Sequence, residues 1–148
     1  MRDHHHLNKL TTRLITKSFP ELKRFSITTS FAVCRGFWFT YRQPHKNSYY
    51  IDVNKNKFEH TPTPVLIGGL VHELSHITLD RHRRDMILYN RHRRYRYLDE
   101  RNTDLEVLIR GYGKELIAFM EYCTTKHIPI YEGLSLKELN NIRRNFSK

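Results

Sequence analysis

The chain has 148 residues, with 26 Lys plus Arg against 15 Asp plus Glu for a net charge of +11, and 39% apolar and 12% aromatic residues. That length suits one domain built on one core, and the composition excludes a disordered tail. No run approaches the roughly 20 apolar residues of a membrane span, and two distant cysteines, Cys34 and Cys123, exclude a disulfide scaffold or a cysteine-rich zinc module.

In chain order, Leu7, Leu10, Leu14 and Ile15 recur near helical spacing before Pro20, which predicts an N-terminal helix over 7–18 within residues 1–20. Residues 24–60 change character. RFSITTSF, VCRGFWFTYR and SYYIDVN are β-branched and aromatic and are punctuated by Gly36, Pro44 and the polar HKNS stretch, which predicts three antiparallel strands. From Thr61 the period turns helical. Thr63-Pro64 opens a long helix over 64–79 in the manner of an N-cap followed by proline at the first helical position. Residues 81–96 form a basic segment with a short apolar centre, Met86-Ile87-Leu88-Tyr89. A second long, buried helix is expected over 99–125, and Ser135-x-x-Glu138 has the form of a capping box for a short helix in the 126–148 tail.

The first long helix contains His72-Glu73-Leu74-Ser75-His76, an H-E-x-x-H motif. With 10 His and 9 Glu in the chain, composition alone generates such a pattern roughly 0.04 times, so chance is a poor explanation. Residues i and i+4 lie one turn apart on one helix face, so both imidazoles can reach one cation. Glu73 is rotated about 100° from His72, which suits a general base acting on a metal-activated water. On the helical wheel Leu66, Ile67, Leu70, Val71, Leu74 and Ile77 fall on one broad side, with His72, His76, Gly68 and Gly69 opposite. The glycines would admit another backbone at close range. The plain alternative is an amphipathic helix with two surface histidines.

Two histidines hold zinc poorly, so a third protein ligand is expected. Glu100 and Asp104, at i and i+4 of the second helix, offer a ligand and a hydrogen-bond acceptor that fixes the tautomer of a ligand histidine. Their bland role is that of acids favoured in a first helical turn. The alternative third ligand is His82, at the spacing of the extended metzincin motif. Leu79 stands at the glycine position of that motif, and Met120 falls mid-helix rather than in a turn.

With these residues the chain resembles the gluzincins, especially their minimal single-domain relatives, in which an H-E-x-x-H helix is followed by a second helix bearing E-x-x-x-D. The likeness covers about residues 61–122. It also extends to small bacterial H-E-x-x-H proteins through Glu-x-x-Thr-Asp-Leu and Gly111-Tyr-Gly113. The resemblance implies an α+β, zincin-like fold over 1–148, with a small antiparallel sheet before the motif helix. It implies a Zn2+ site of His72, His76 and Glu100, Glu73 as base and acid, Asp104 in support, and hydrolysis of peptide bonds. Tyr95, Tyr97, Tyr112, Tyr122, Tyr131 and His127 are candidates to steady the oxyanion.

The expected partner is a peptide or protein substrate, an acidic one included, which an exposed edge among residues 24–53 could hold by strand addition. Arg81, Arg83, Arg84, Arg91, Arg93, Arg94 and Arg96, with tyrosines interleaved, could also meet nucleic acid. The simpler account is a solvated charged connection, partly neutralised by Asp80, Asp85, Asp99 and Glu100. Two non-catalytic alternatives accompany the peptidase: a basic nucleic-acid-associated protein, and a silent peptide-binding domain of zincin shape. No secretory signal or membrane partner is expected, and the setting expected is a reducing cytoplasm. No role is assigned to His4-His5-His6.

Overall fold

The computed structural model describes residues 4–32, 39–58, 60–80, 91–130 and 133–146. Helix α1, His4–Ser18, begins one turn earlier than the apolar spacing predicts, and buries Leu7, Thr11 and Leu14. A 3-10 turn, Pro20–Leu22, follows and leads into the strands β1 (Ser26–Ala32), β2 (Phe39–His45) and β3 (Ser48–Asn54). A short helix α2, Lys55–Phe58, precedes the long helix α3, Thr63–Asp80. Then come α4 (Arg93–Ile109), α5 (Gly113–Thr125) and α6 (Leu136–Phe146). The fold is α+β. Among the described residues, no helix is long and apolar enough to cross a membrane.

The sheet departs from the expected antiparallel arrangement. Its order is β1-β3-β2, so β3 is central; it pairs antiparallel with β2 and parallel with β1. Three strands that run up, down and up form an all-antiparallel sheet only when the second lies in the middle. Here the third does. The apolar alternation Tyr49, Ile51, Val53 makes β3 the strand that can be buried, and all three are 4% exposed or less. β2 contains Pro44, which lacks an N–H for a second neighbour and suits an edge. The pairing of β2 slips between Arg42 and His45.

Helix α3 runs through the centre of the molecule. Leu66, Leu70, Val71, Leu74 and Ile77 have no solvent exposure. The opposite side, expected to be more open, is also covered, by α5 and α4. Gly68 is the point of closest approach. A Cβ there would collide with the carbonyl oxygen of Glu115 and stand 2.8 Å from Phe119 Cβ, so the two helices touch through backbone, as the glycine pair predicts.

The expected single helix over 99–125 is two helices, and the first starts upstream, inside the basic segment. The break lies at Gly111, whose φ is +85°. The Gly111 N–H donates to Leu108 O at 2.9 Å and the Tyr112 N–H to Val107 O at 3.1 Å, the paired bonds of a Schellman motif. Helix α5 ends in the same way with a histidine in the glycine's place. His127 has φ 51°, its N–H donates to Thr124 O at 3.2 Å, and that of Ile128 donates to Cys123 O at 2.8 Å. The predicted capping box is present. Ser135 N–H donates to Glu138 Oε2 at 2.8 Å, and Glu138 N–H donates to Ser135 Oγ at 3.2 Å.

The C-terminus of α4 is fastened to the N-terminal region by Arg110. Its Nη2 lies 2.6 Å from both Glu21 Oε1 and Glu106 Oε1, its Nη1 donates to Ser18 O, and its guanidinium sits 4.1 Å from the centre of the Phe19 ring. Ser18 Oγ and the Tyr112 hydroxyl add a hydrogen bond of 2.7 Å across the same junction.

Candidate metal centre

Helix α3 brings His72, Glu73 and His76 to the middle of the molecule, and α4 brings Glu100, Thr103 and Asp104 to meet them. His76, Glu73, Glu100 and Asp104 are all buried, which excludes the alternative of two surface histidines. His72 Nε2 and His76 Nε2 are 3.1 Å apart, and Glu100 Oε2 lies 3.2 Å from the first and 3.3 Å from the second. Two ligands at 2.0–2.1 Å from a tetrahedral cation are separated by about 3.3 Å. His72, His76 and Glu100 therefore form a cluster able to hold a metal ion. His82 lies outside the described residues.

The outer ring nitrogens decide which way the inner lone pairs point. His72 Nδ1 lies 3.1 Å from Asp104 Oδ1, a carboxylate acceptor, so this nitrogen carries the proton. Thr103 Oγ1 gives its one proton to the carbonyl of Asp99 at 3.0 Å. It therefore accepts from His76 Nδ1, also at 3.0 Å. Asp99 Oδ2 stands 3.7 Å from the same nitrogen. With both outer nitrogens donating, both Nε2 lone pairs converge on the Glu100 oxygen, and three converging acceptors require a positive charge among them.

The electrostatics carry the same demand. Burial alone would lower the pKa of His72, but its hydrogen bonds to Asp104 and Glu100 outweigh that and hold the imidazole well above its ordinary value. Burial alone would raise the pKa of Glu100. The two imidazoles of His72 and His76 beside it reverse the sign and keep its carboxyl far below the usual range. Without a cation, a proton on His72 supplies the missing charge.

Three contributors escape the sequence motif. Thr103 is one; its position, three residues after Glu100 on the same face, was a usable signal, but helical threonines ordinarily bond to their own backbone. Tyr41 is another. From the edge strand β2 its ring stacks on that of His76, with centroids 5.6 Å apart and planes 23° apart, a contact no local pattern announces. The third is the Leu134 N–H, which donates to Asp104 Oδ2 at 2.8 Å. Of the oxyanion candidates, Tyr112 is engaged with Ser18, Tyr97 lies under the guanidinium of Arg101 at 5.3 Å, Tyr122 packs against the core beside Lys126, and His127 is exposed at the exit of α5. Tyr95 is half-buried in the first turn of α4, and Tyr131 lies outside the described residues. Arg91, Arg93 and Arg94 are exposed; residues 81–90 of the basic segment, and Cys34, lie outside the described residues.

No known family, curated protein or solved structure matches this chain.

Proposed function

We propose that this chain is a zinc-dependent metallopeptidase with a gluzincin-like site. The observation that supports this most is the triangle of His72 Nε2, His76 Nε2 and Glu100 Oε2, 3.1–3.3 Å on each side, beside a buried Glu73. His72, His76 and Glu100 would hold the ion; imidazole and carboxylate donors suit Zn2+. When bound, the cation supplies Lewis acidity, lowering the pKa of a water and polarising a scissile carbonyl. With such an ion in place, Glu73 would accept a proton from the attacking water as the water oxygen bonds to the carbonyl carbon, and would deliver it to the amine nitrogen as the C–N bond breaks. Asp104 and Thr103 keep the two imidazoles in the ligating tautomer throughout. Tyr41 sets the edge strand β2 beside the centre, so an extended substrate peptide is expected to pair along β2.

The test pairs metal content by native mass spectrometry with cleavage of an unfolded protein substrate, in the wild type and in Glu73→Gln. One zinc per chain is expected in both, with hydrolysis roughly 10²–10⁴-fold slower in the variant. Zinc bound without hydrolysis by the wild type would leave a silent zincin-shaped binding domain. Failure of either form to bind zinc would remove the proposal altogether.

A further inference from the structure

Asp104 uses both of its carboxylate oxygens. Oδ1 faces His72, and Oδ2 accepts the Leu134 N–H at the entrance to α6. This second bond is enclosed, with Asp104 at 3% and Leu134 at 2% exposure. Room for it depends on the absence of a side chain at residue 133. A Cβ on Gly133 would run into Asp104 Oδ2, and would stand 3.0 Å from Asp104 Cγ and 3.2 Å from the Glu100 carbonyl oxygen. One residue thus presses against the backbone of one ligand and the carboxylate that orients another.

The entrance is itself braced. Glu138 caps Ser135 and also pairs with Arg101 Nη1 at 2.9 Å. Arg101 precedes Asp104 by three residues, so both grip α6 from neighbouring turns of α4. Leu139 is wholly buried behind them.

We propose that the Gly133–Leu134 backbone is a positioning strap: it fixes Asp104, Asp104 fixes the ring of His72, and the seating of α6 thereby sets the affinity of the cation site. The effect on affinity rests on the metal-site reading above; the effect on the His72 ring does not.

Two quantities are read in the full-length chain for wild type, Gly133→Ala, Asp104→Ala and the double variant: ring ¹⁵N shifts of His72 and His76 without metal, and zinc affinity by competition with a chromophoric chelator. Gly133→Ala is expected to shift the His72 ring nitrogens while leaving those of His76 in place, and to weaken zinc about 10–100-fold. In the Asp104→Ala background the same change is expected to add less than about twofold, because its severe contact, with the Asp104 carboxylate, is already gone and only the milder one with the Glu100 carbonyl is left. An unmoved His72 ring, equal shifts of both rings, or an equal loss of affinity in the two backgrounds overturns the strap. A wild type that takes no zinc overturns the metal reading, and the ring shifts still decide the strap. Should Gly133→Ala fail to fold, amide exchange decides: Asp104→Ala is expected to strip protection from Leu134 while Leu139 keeps its own, and unchanged protection at Leu134 overturns the proposal.

Discussion

The two helices that meet at the centre are held in place by different forces. α3 is surrounded: five of its aliphatic residues have no exposure, and it touches another helix through backbone at Gly68. The buried residues of α4 are Glu100, Thr103, Asp104 and Val107, three of them polar. Its far end is secured by the ion pairs of Arg110, and Leu98, Leu105 and Ile109 on its outer surface are 50%, 40% and 81% exposed. One helix is seated by the hydrophobic effect, which is insensitive to what occupies the centre. The other is seated largely by polar groups whose mutual fit depends on a charge among them.

Breaking the first helix should therefore cost the whole fold. Leu74→Ala is expected to destabilise the chain by about 2–5 kcal/mol in urea unfolding, by the same amount with and without zinc. Next in size is the cation. Zinc at a hundred times its Kd is expected to add about 2.7 kcal/mol, removable by a chelator. In hydrogen exchange the added protection should fall on α4 beyond that on α3. Equal gains on both helices would refute the contrast.

A smaller effect separates the two histidines. Thr103→Val removes the acceptor for His76 and is expected to weaken zinc about tenfold, at the low end of the range for such partners, because Asp99 Oδ2 at 3.7 Å can take over. Asp104→Ala removes the carboxylate 3.1 Å from His72 Nδ1 and should lie nearer the high end in the same chelator titration.

The smallest effect lies farthest from the centre. Ser135→Ala is expected to cost about 1 kcal/mol through loss of the α6 cap. Hydrogen bonds from Ser135 and the charge of Arg101 hold the Glu138 carboxyl at about 2, below its unfolded value. Its contribution is thus complete above about pH 4.3 and is lost as pH falls through about 2. Circular dichroism between those limits should show α6 loosening in the wild type, and a flatter profile in Glu138→Gln.

How much of this was legible in the sequence follows the same division. α1, α3, the one-turn spacing of His72 and His76 and the α6 capping box are readable, because apolar period and cap chemistry are local. The boundary between α4 and α5 is marked by Gly111-Tyr112-Gly113, but apolar residues on both sides continue the helical pattern across it and mask the left-handed turn. The start of α4 at Arg93 was hidden by charge, although arginine and tyrosine are tolerated in helices. Strand character was evident, but the order β1-β3-β2 depends on which strand has most apolar surface to bury, a comparison between segments rather than a pattern within one. Glu100 could be proposed as a ligand from its spacing to Asp104. Tyr41 stacks on a ring 35 positions away in the chain and Gly133 abuts a carboxylate 29 positions away, and nothing local encodes either contact.

His127 shows where the fold has thermal tolerance in reserve. α4 and α5 leave their last turns by the same pair of hydrogen bonds, yet only α4 places a glycine at the left-handed residue. The imidazole-bearing backbone at φ 51° costs up to about 1 kcal/mol relative to glycine. Exchanging it for glycine should raise the melting temperature by about 2–4 °C in a chain of this size, with no change at the buried centre. The protein therefore sits below the heat resistance its own architecture permits.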